Sequence, residues 1–145
     1  MVKASRIMNF EDHVIYEFLI DMFLKQFNIT REHLLNYKYQ TTIPYKKSHI
    51  SVQQSITNLV PNILIEFVSE YGNQRIVSIY ALERKGDSRT LVTLTEEGFS
   101  DKKALDLNYK LFSFPVLNFS TKKKLKTRLY QINQLLSSKE SGGNV

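Results

Sequence analysis

The sequence contains no cysteine and only five glycines among its 145 residues. Without cysteine it can form no disulfide, thiolate zinc site or iron–sulfur cluster, and it has no cysteine nucleophile. The glycines stand at positions 72, 86, 98, 142 and 143, so neither the G-x-G-x-x-G fingerprint nor the phosphate-binding P-loop spacing occurs. We therefore expect no cofactor.

Long apolar runs are also missing. No stretch approaches the roughly 18 to 20 consecutive apolar residues that a membrane-spanning helix needs. Residues 2–10 lack the pattern of a signal peptide, because polar and apolar residues alternate there and the acidic pair Glu11 and Asp12 follows directly. These features predict a cytoplasmic protein with no transmembrane segment.

The positive charge is concentrated near the carboxyl terminus. The chain carries a formal charge of +6, and residues 120–145 contain six basic groups against Glu140 alone. Such a segment is typical of a solvated helix face or of a weak contact with an anionic surface. No helix-turn-helix, RNA-binding motif or zinc finger accompanies the basic residues, so we expect no sequence-specific binding of nucleic acid.

The spacing of apolar residues predicts the order of the secondary structure elements. Residues 2–8 suit a first strand, and 10–27 repeat apolar residues every three or four positions, as an amphipathic helix capped by Asn9 would. A short helical segment at 31–36 is expected to bury Leu34 and Leu35. Between residues 37 and 99 the period changes to two, which predicts about five antiparallel strands, with turns that include 58–62.

The last third of the chain is predicted to be helical again. Residues 101–114 suit a helix or a partly helical crossing that Pro115 interrupts. A second helix, capped by Ser120 or Thr121, is expected over 120–138. Its apolar residues fall on one face: Leu125, Leu129, Ile132 and Leu136.

A sheet with one apolar face and a long amphipathic helix can bury both surfaces by packing together. The sequence therefore predicts an α+β helix-grip fold, in which a curved antiparallel sheet wraps on a long C-terminal helix. The chain length favours one domain. We place it at residues 1–138, followed by a flexible tail at 139–145.

Three segments carry a resemblance to a known family. They are TLTEEGF at 93–99, LNYKL at 107–111 and the lysine-rich stretch 120–136. In them the chain resembles an uncharacterised family of small Firmicutes proteins, a domain of unknown function near the START-like (SRPBCC, Bet v 1-like) superfamily. The resemblance covers residues 3–138 and implies a bacterial protein with a cavity, since START-like relatives bind lipids, sterols or polyketides. It implies no functional residues, because the family has no established activity.

A ligand site is predicted between the concave face of the sheet and segment 101–119. The residues expected to line it are Ile65, Phe67, Ile79, Val92, Leu94, Glu96, Tyr109 and Phe112. Glu96 and Tyr109 are the polar groups able to orient a ligand, because Glu96 faces inward wherever Val92 and Leu94 do. Two alternatives stay open: the aromatic residues fill the core, or Glu96 lies at the open edge of its strand, paired with a lysine or arginine.

Other candidate sites have weaker sequence signals. His13, His33 and His49 lack the spacing of metal ligands, so we expect no metal site. Arg75 and Arg84 flank one predicted strand, where they either clamp an anionic group or pair with neighbouring acidic residues.

The leading interpretation is non-enzymatic binding of an apolar or amphipathic small molecule in a cavity between sheet and helix. The alternative is a protein-interaction or regulatory module with a filled core and a basic C-terminal helix. Catalysis through Glu96 or Tyr109 has the least support, so the sequence favours a binding protein over an enzyme.

Overall fold

A computed structural model of the chain describes residues 1–45, 47–100 and 121–143, with the backbone alone at 45, 100 and 140–143. The elements are β1 (Val2–Met8), α1 (Asp12–Phe27), a 3-10 turn (Arg31–His33), β2 (Tyr39–Tyr45), β3 (Ser48–Val60), β4 (Leu64–Tyr71), β5 (Gln74–Gly86), β6 (Arg89–Ser100) and α2 (Lys122–Gly143). The six strands form one antiparallel sheet in the order β1-β6-β5-β4-β3-β2. This is the predicted α+β helix-grip fold, a curved sheet with a long C-terminal helix.

One row of the inner face of the sheet is buried across four strands. Ala4 lies opposite Leu94, Leu94 opposite Tyr80, and Tyr80 opposite Ile65. Residues that face each other in an antiparallel ladder lie on the same side of the sheet, and successive residues alternate between sides. All four are buried, so this face carries the core.

Helix α2 packs against β1 and β6 through the predicted residues. Leu125 and Leu129 are fully buried, and Ile132 and Leu136 are no more than 3% exposed. At the start of the helix, the backbone N–H of Lys124 donates to Thr121 Oγ1 at 3.2 Å, which satisfies one of the unpaired donors of the first turn. The helix continues to Gly143, past the predicted end at 138.

Helix α1 also packs on the inner face. The Phe23 ring lies 5.2 Å from the Phe67 ring and 6.4 Å from the Tyr80 ring, measured between centroids. The predicted cap was wrong by two residues: Glu11, not Asn9, precedes the helix, and its side chain makes no capping hydrogen bond. Within the described residues, no helix is long and apolar enough to cross a membrane.

Two local predictions on the sheet side were also wrong. Residues 58–60 belong to β3, where Thr57 forms a bulge because Ile56 and Asn58 oppose consecutive residues of β4. The turn that follows is shorter, with Asn62 in the left-handed conformation at φ 63°. Leu34 is buried as expected, but Leu35 is 51% exposed, because the 3-10 turn ends at His33 and Leu35 instead forms an isolated β-bridge with Ile56.

Candidate ligand-binding site

Polar side chains interrupt the apolar inner face on β5 and β6. Ser78 and Glu96 lie directly opposite each other, and Tyr80 follows Ser78 on the same face. Each of the three residues is no more than 5% exposed. Burying polar groups costs free energy unless hydrogen bonds replace those lost from water, so these side chains require partners.

The partners come from within this group and from α2. Ser78 Oγ donates a hydrogen bond to Glu96 Oε2 at 3.1 Å. Arg128 Nη1 lies 3.6 Å from the same carboxylate oxygen, and the guanidinium also acts on the Tyr80 hydroxyl, whose pKa it lowers. We call Ser78, Tyr80, Glu96 and Arg128 the inner polar cluster.

The electrostatics of the inner polar cluster favour a protonated tyrosine beside an ion pair. Burial raises the pKa of Tyr80 above its ordinary value, while Arg128 opposes that rise and Glu96 adds to it. The phenol therefore keeps its proton at neutral pH and remains a hydrogen-bond donor. Because Glu96 and Arg128 carry opposite charges, the cluster has no net charge.

Half-buried residues lie next to the inner polar cluster, on the side toward the carboxyl end of β6. Leu94 and Ile65 are fully buried, whereas Phe67, Ile76 and Gly98, also on the inner face, are only half-buried. Burial thus decreases along the sheet toward the carboxyl end of β6. Apolar surface beside a few converging polar groups is typical of small-molecule sites.

The structure brings together five of the eight residues predicted to line a site. They share the inner face and are Ile65, Phe67, Val92, Leu94 and Glu96. Sequence reasoning missed Ser78 and Tyr80, although strict alternation along β5 places both on the same side as the buried Leu82. That alternation was the signal that groups them with Leu82 on one face.

Ile79 was assigned to the wrong face. It lies opposite Thr95 on the outer side of the sheet, because its neighbour Tyr80 points inward and adjacent strand residues point to opposite sides. Tyr109 and Phe112, and the whole predicted crossing at 101–119, lie outside the described residues.

The basic face of α2 needs a correction at Arg128. The sequence counted this residue only among the basic groups of 120–145, but its side chain reaches the buried Glu96 carboxylate. It lies three residues after Leu125, which is the spacing of neighbours on one helix face. The four lysines near the start of the helix are exposed as expected: Lys122, Lys123, Lys124 and Lys126.

Arg75 and Arg84 cannot clamp one small anion. They are nine residue steps apart along an extended strand, which corresponds to about 30 Å. Arg84 lies 3.9 Å from Asp87, the pairing that we gave as the alternative, and the Arg75 guanidinium stacks over the Phe99 ring. Among the described residues, no cluster of three or more histidine, aspartate or glutamate side chains could hold a metal ion.

Comparison with models of known families identifies the family of this chain. The model of a domain of unknown function, DUF3284, matches residues 2–116. The chain belongs to this family. The DUF3284 match includes all six strands and Glu96 and ends before α2, so Arg128 lies beyond it. No curated protein sequence matches this DUF3284 chain.

Solved structures similar to the DUF3284 chain share its fold at low sequence identity. MLL2253 from Mesorhizobium loti has a TM-score of 0.60 at 11% identity, covering 94% of this chain and 96% of that one. A point mutant of Thalictrum flavum norcoclaurine synthase, in complex with a transition state analogue, has a TM-score of 0.60 at 8% identity, with coverages of 96% and 94%. A conserved protein from Geobacillus kaustophilus has a TM-score of 0.57 at 12% identity, with coverages of 94% and 94%. These similarities support a START/Bet v 1-like fold.

Proposed function

We propose that the chain binds a small apolar or amphipathic molecule between the inner face of the sheet and α2. The observation that carries this proposal is Glu96, which is 5% exposed on a largely apolar face and whose carboxylate reaches Arg128 across the helix–sheet interface. A buried ion pair adds little to stability, because loss of hydration offsets most of its attraction. A binding site, by contrast, needs a few fixed polar groups to orient its ligand.

The inner polar cluster favours a ligand with an uncharged polar group. The charges of Glu96 and Arg128 already neutralise each other, so a charged ligand would bring an unpaired charge into a buried site. A hydroxyl, carbonyl or phenol can exchange hydrogen bonds with the Tyr80 hydroxyl and the Arg128 guanidinium. The apolar body of the ligand would lie against half-buried side chains such as Phe67 and Ile76.

One structural relative adds support at the level of the fold. Thalictrum flavum norcoclaurine synthase, with a TM-score of 0.58 and 6% identity to this chain, was solved in complex with dopamine and hydroxybenzaldehyde. That protein holds small organic molecules on the same architecture. At this identity the likeness concerns the fold alone, so the proposal for this chain rests on its own inner polar cluster.

The first experiment is native mass spectrometry of the protein purified from its own host, followed by titration with N-phenyl-1-naphthylamine, a neutral fluorescent probe. We expect a co-purified mass or saturable probe fluorescence. Arg128→Met should change probe affinity, because the guanidinium adjoins the site, whereas Lys124→Met on the exposed side of α2 should not. Absence of both an added mass and saturable fluorescence would contradict the proposal.

A second candidate function is an interaction or regulatory module with a filled core. The observation that favours it is the contact of the Phe23 ring with the Phe27 and Phe67 rings at 6.1 and 5.2 Å, which occupies space between α1 and the sheet. The exposed lysines of α2 would then contact an anionic partner. Sedimentation with phosphatidylserine vesicles but not with phosphatidylcholine vesicles, together with no probe binding, would favour this candidate over the first.

A further inference from the structure

The outer face of the sheet, which the proposed function does not use, contains a groove of about 500 Å³ over β4, β5 and β6. We call it the outer groove. Val68, Val77 and Ile79 form its apolar centre, and Phe99 lines it beside them. Its volume lies within the range of about 300 to 1,000 Å³ that is typical of small-molecule sites.

The apolar centre of the outer groove is only partly covered. Val68 is 5% exposed, Val77 and Ile79 are half-buried, and Phe99 is 42% exposed. Val77 lies opposite both Val68 and Glu97, so one row across three strands runs from an apolar side chain to a carboxylate. A ligand with an apolar body and a charged end would match this row.

Acidic side chains outnumber basic ones around the outer groove. Glu66, Glu70 and Glu97 line it, and the basic side chain among its lining residues is Arg75. This balance is opposite in sign to the chain as a whole, which carries +6. The outer groove is therefore an acidic surface on a basic protein.

Two of these carboxylates form no ion pair among the described residues. Glu66 accepts a hydrogen bond from Thr57 Oγ1 at 2.7 Å. Glu70 and Glu97 form no hydrogen bond or ion pair with a side chain in the parts of the chain that the structure describes. Arg75 lies across from Glu70, but its guanidinium sits 4.9 Å from the centre of the Phe99 ring.

We propose that the outer groove binds a small hydrophobic cation, an aryl- or alkylamine. Its apolar body would lie on Val77 and Ile79, and its ammonium group would be attracted by the carboxylates of Glu70 and Glu97. Charge complementarity selects this class, because a neutral molecule of the same shape gains only the apolar contact and an anion is repelled.

Calorimetric titration with phenethylammonium chloride, with 2-phenylethanol as the neutral match, tests the proposal. Exposed ion pairs contribute about 0.2 to 1 kcal/mol each, so two carboxylates should make the amine bind about twofold to thirtyfold more tightly than the alcohol at low salt. Added salt should remove that advantage. The double variant Glu70→Gln, Glu97→Gln should bring the amine close to the alcohol, whereas Glu83→Gln, an exposed glutamate beyond the groove, should not.

Methyl NMR shows on which face of the sheet the amine binds. Saturating amine should shift the methyl signals of Val77 and Ile79 and leave those of Leu94, on the inner face, unchanged. Equal affinity for amine and alcohol, absence of saturable amine binding, equal loss in Glu83→Gln, or shifts confined to Leu94 would each overturn the proposal. Dilution-dependent dissociation of a dimer through this face would overturn it as well, since a second copy would then occupy the groove.

Discussion

Arg128 on α2 places Nη1 3.6 Å from the Glu96 carboxylate on β6, so one ion pair joins the helix to the sheet. The two partners are unequally hydrated, because the Arg128 side chain is 43% exposed and the Glu96 side chain only 6% exposed. Glu96 therefore depends on protein partners far more than Arg128 does. This asymmetry determines which substitution should be more costly.

Removing the arginine should destabilise the fold more than removing an exposed lysine from the same helix. Arg128→Met deprives a buried carboxylate of one partner, which should lower the free energy of unfolding by about 1–3 kcal/mol. Lys124→Met should change it by less than about 0.5 kcal/mol. Urea denaturation at neutral pH measures both, and equal effects would mean that the ion pair adds nothing.

The docking of α2 on the sheet gives a second prediction with a control on the same helix. Leu129 is fully buried, so Leu129→Ala should cost about 2–5 kcal/mol through lost apolar burial and the cavity left behind. Leu135 is 54% exposed, and Leu135→Ala should cost less than about 0.5 kcal/mol. A loss below that value for Leu129→Ala would show that the helix does not pack on the sheet.

The fold was predictable because its signals are local and strongly periodic. The four apolar residues of α2 recur at helical spacing over three turns, and every one of them is buried. The alternation after residue 37 predicted five strands, and five are present. Boundaries were less predictable, because a β-bulge at Thr57 and the short turn at Asn62 replace the wide turn that Pro61 suggested.

The candidate site was only partly predictable, because it depends on how distant elements align. Alternation shows that Ser78 and Tyr80 share one face and Ile79 the other, but which face points inward depends on the register with β6. The Glu96–Arg128 pair joins residues on a strand and a helix that lie far apart in the sequence. Their spacing in the sequence carries no information on that distance.

The buried phenol of Tyr80 should make stability depend on alkaline pH. Burial holds the pKa of Tyr80 above its ordinary value, so the folded state binds the phenolic proton more tightly than the unfolded chain does. The corresponding stability is fully present below the unfolded pKa of about 10 and is lost as pH rises through the folded pKa. Tyr80→Phe cannot ionise, so it should lose less stability than the parent protein between about pH 9 and pH 11.

A matched variant separates this effect from general alkaline denaturation. Tyr130 is 49% exposed, so Tyr130→Phe should follow the parent curve in urea titrations at each pH. Tyr80→Phe should also change stability at neutral pH by no more than about 1.5 kcal/mol, since it removes one buried hydroxyl and keeps the ring. If the Tyr80→Phe and parent curves stay parallel up to the highest pH, the phenol does not titrate differently on unfolding.

The exposed lysines of α2 should give weak binding to DNA that does not depend on base sequence. Four lysines lie within the first turns of the helix, and phosphate contacts of this kind carry no sequence information. Two duplexes of unrelated sequence should therefore bind equally, and affinity should fall steeply with salt. Each lost phosphate contact reduces the slope of log K against log salt by about 0.9, so Lys123→Gln with Lys126→Gln should reduce it by up to about 2. Sequence-specific proteins prefer their sites by about a thousandfold or more at physiological salt, and a preference of that size would contradict this interpretation of the helix.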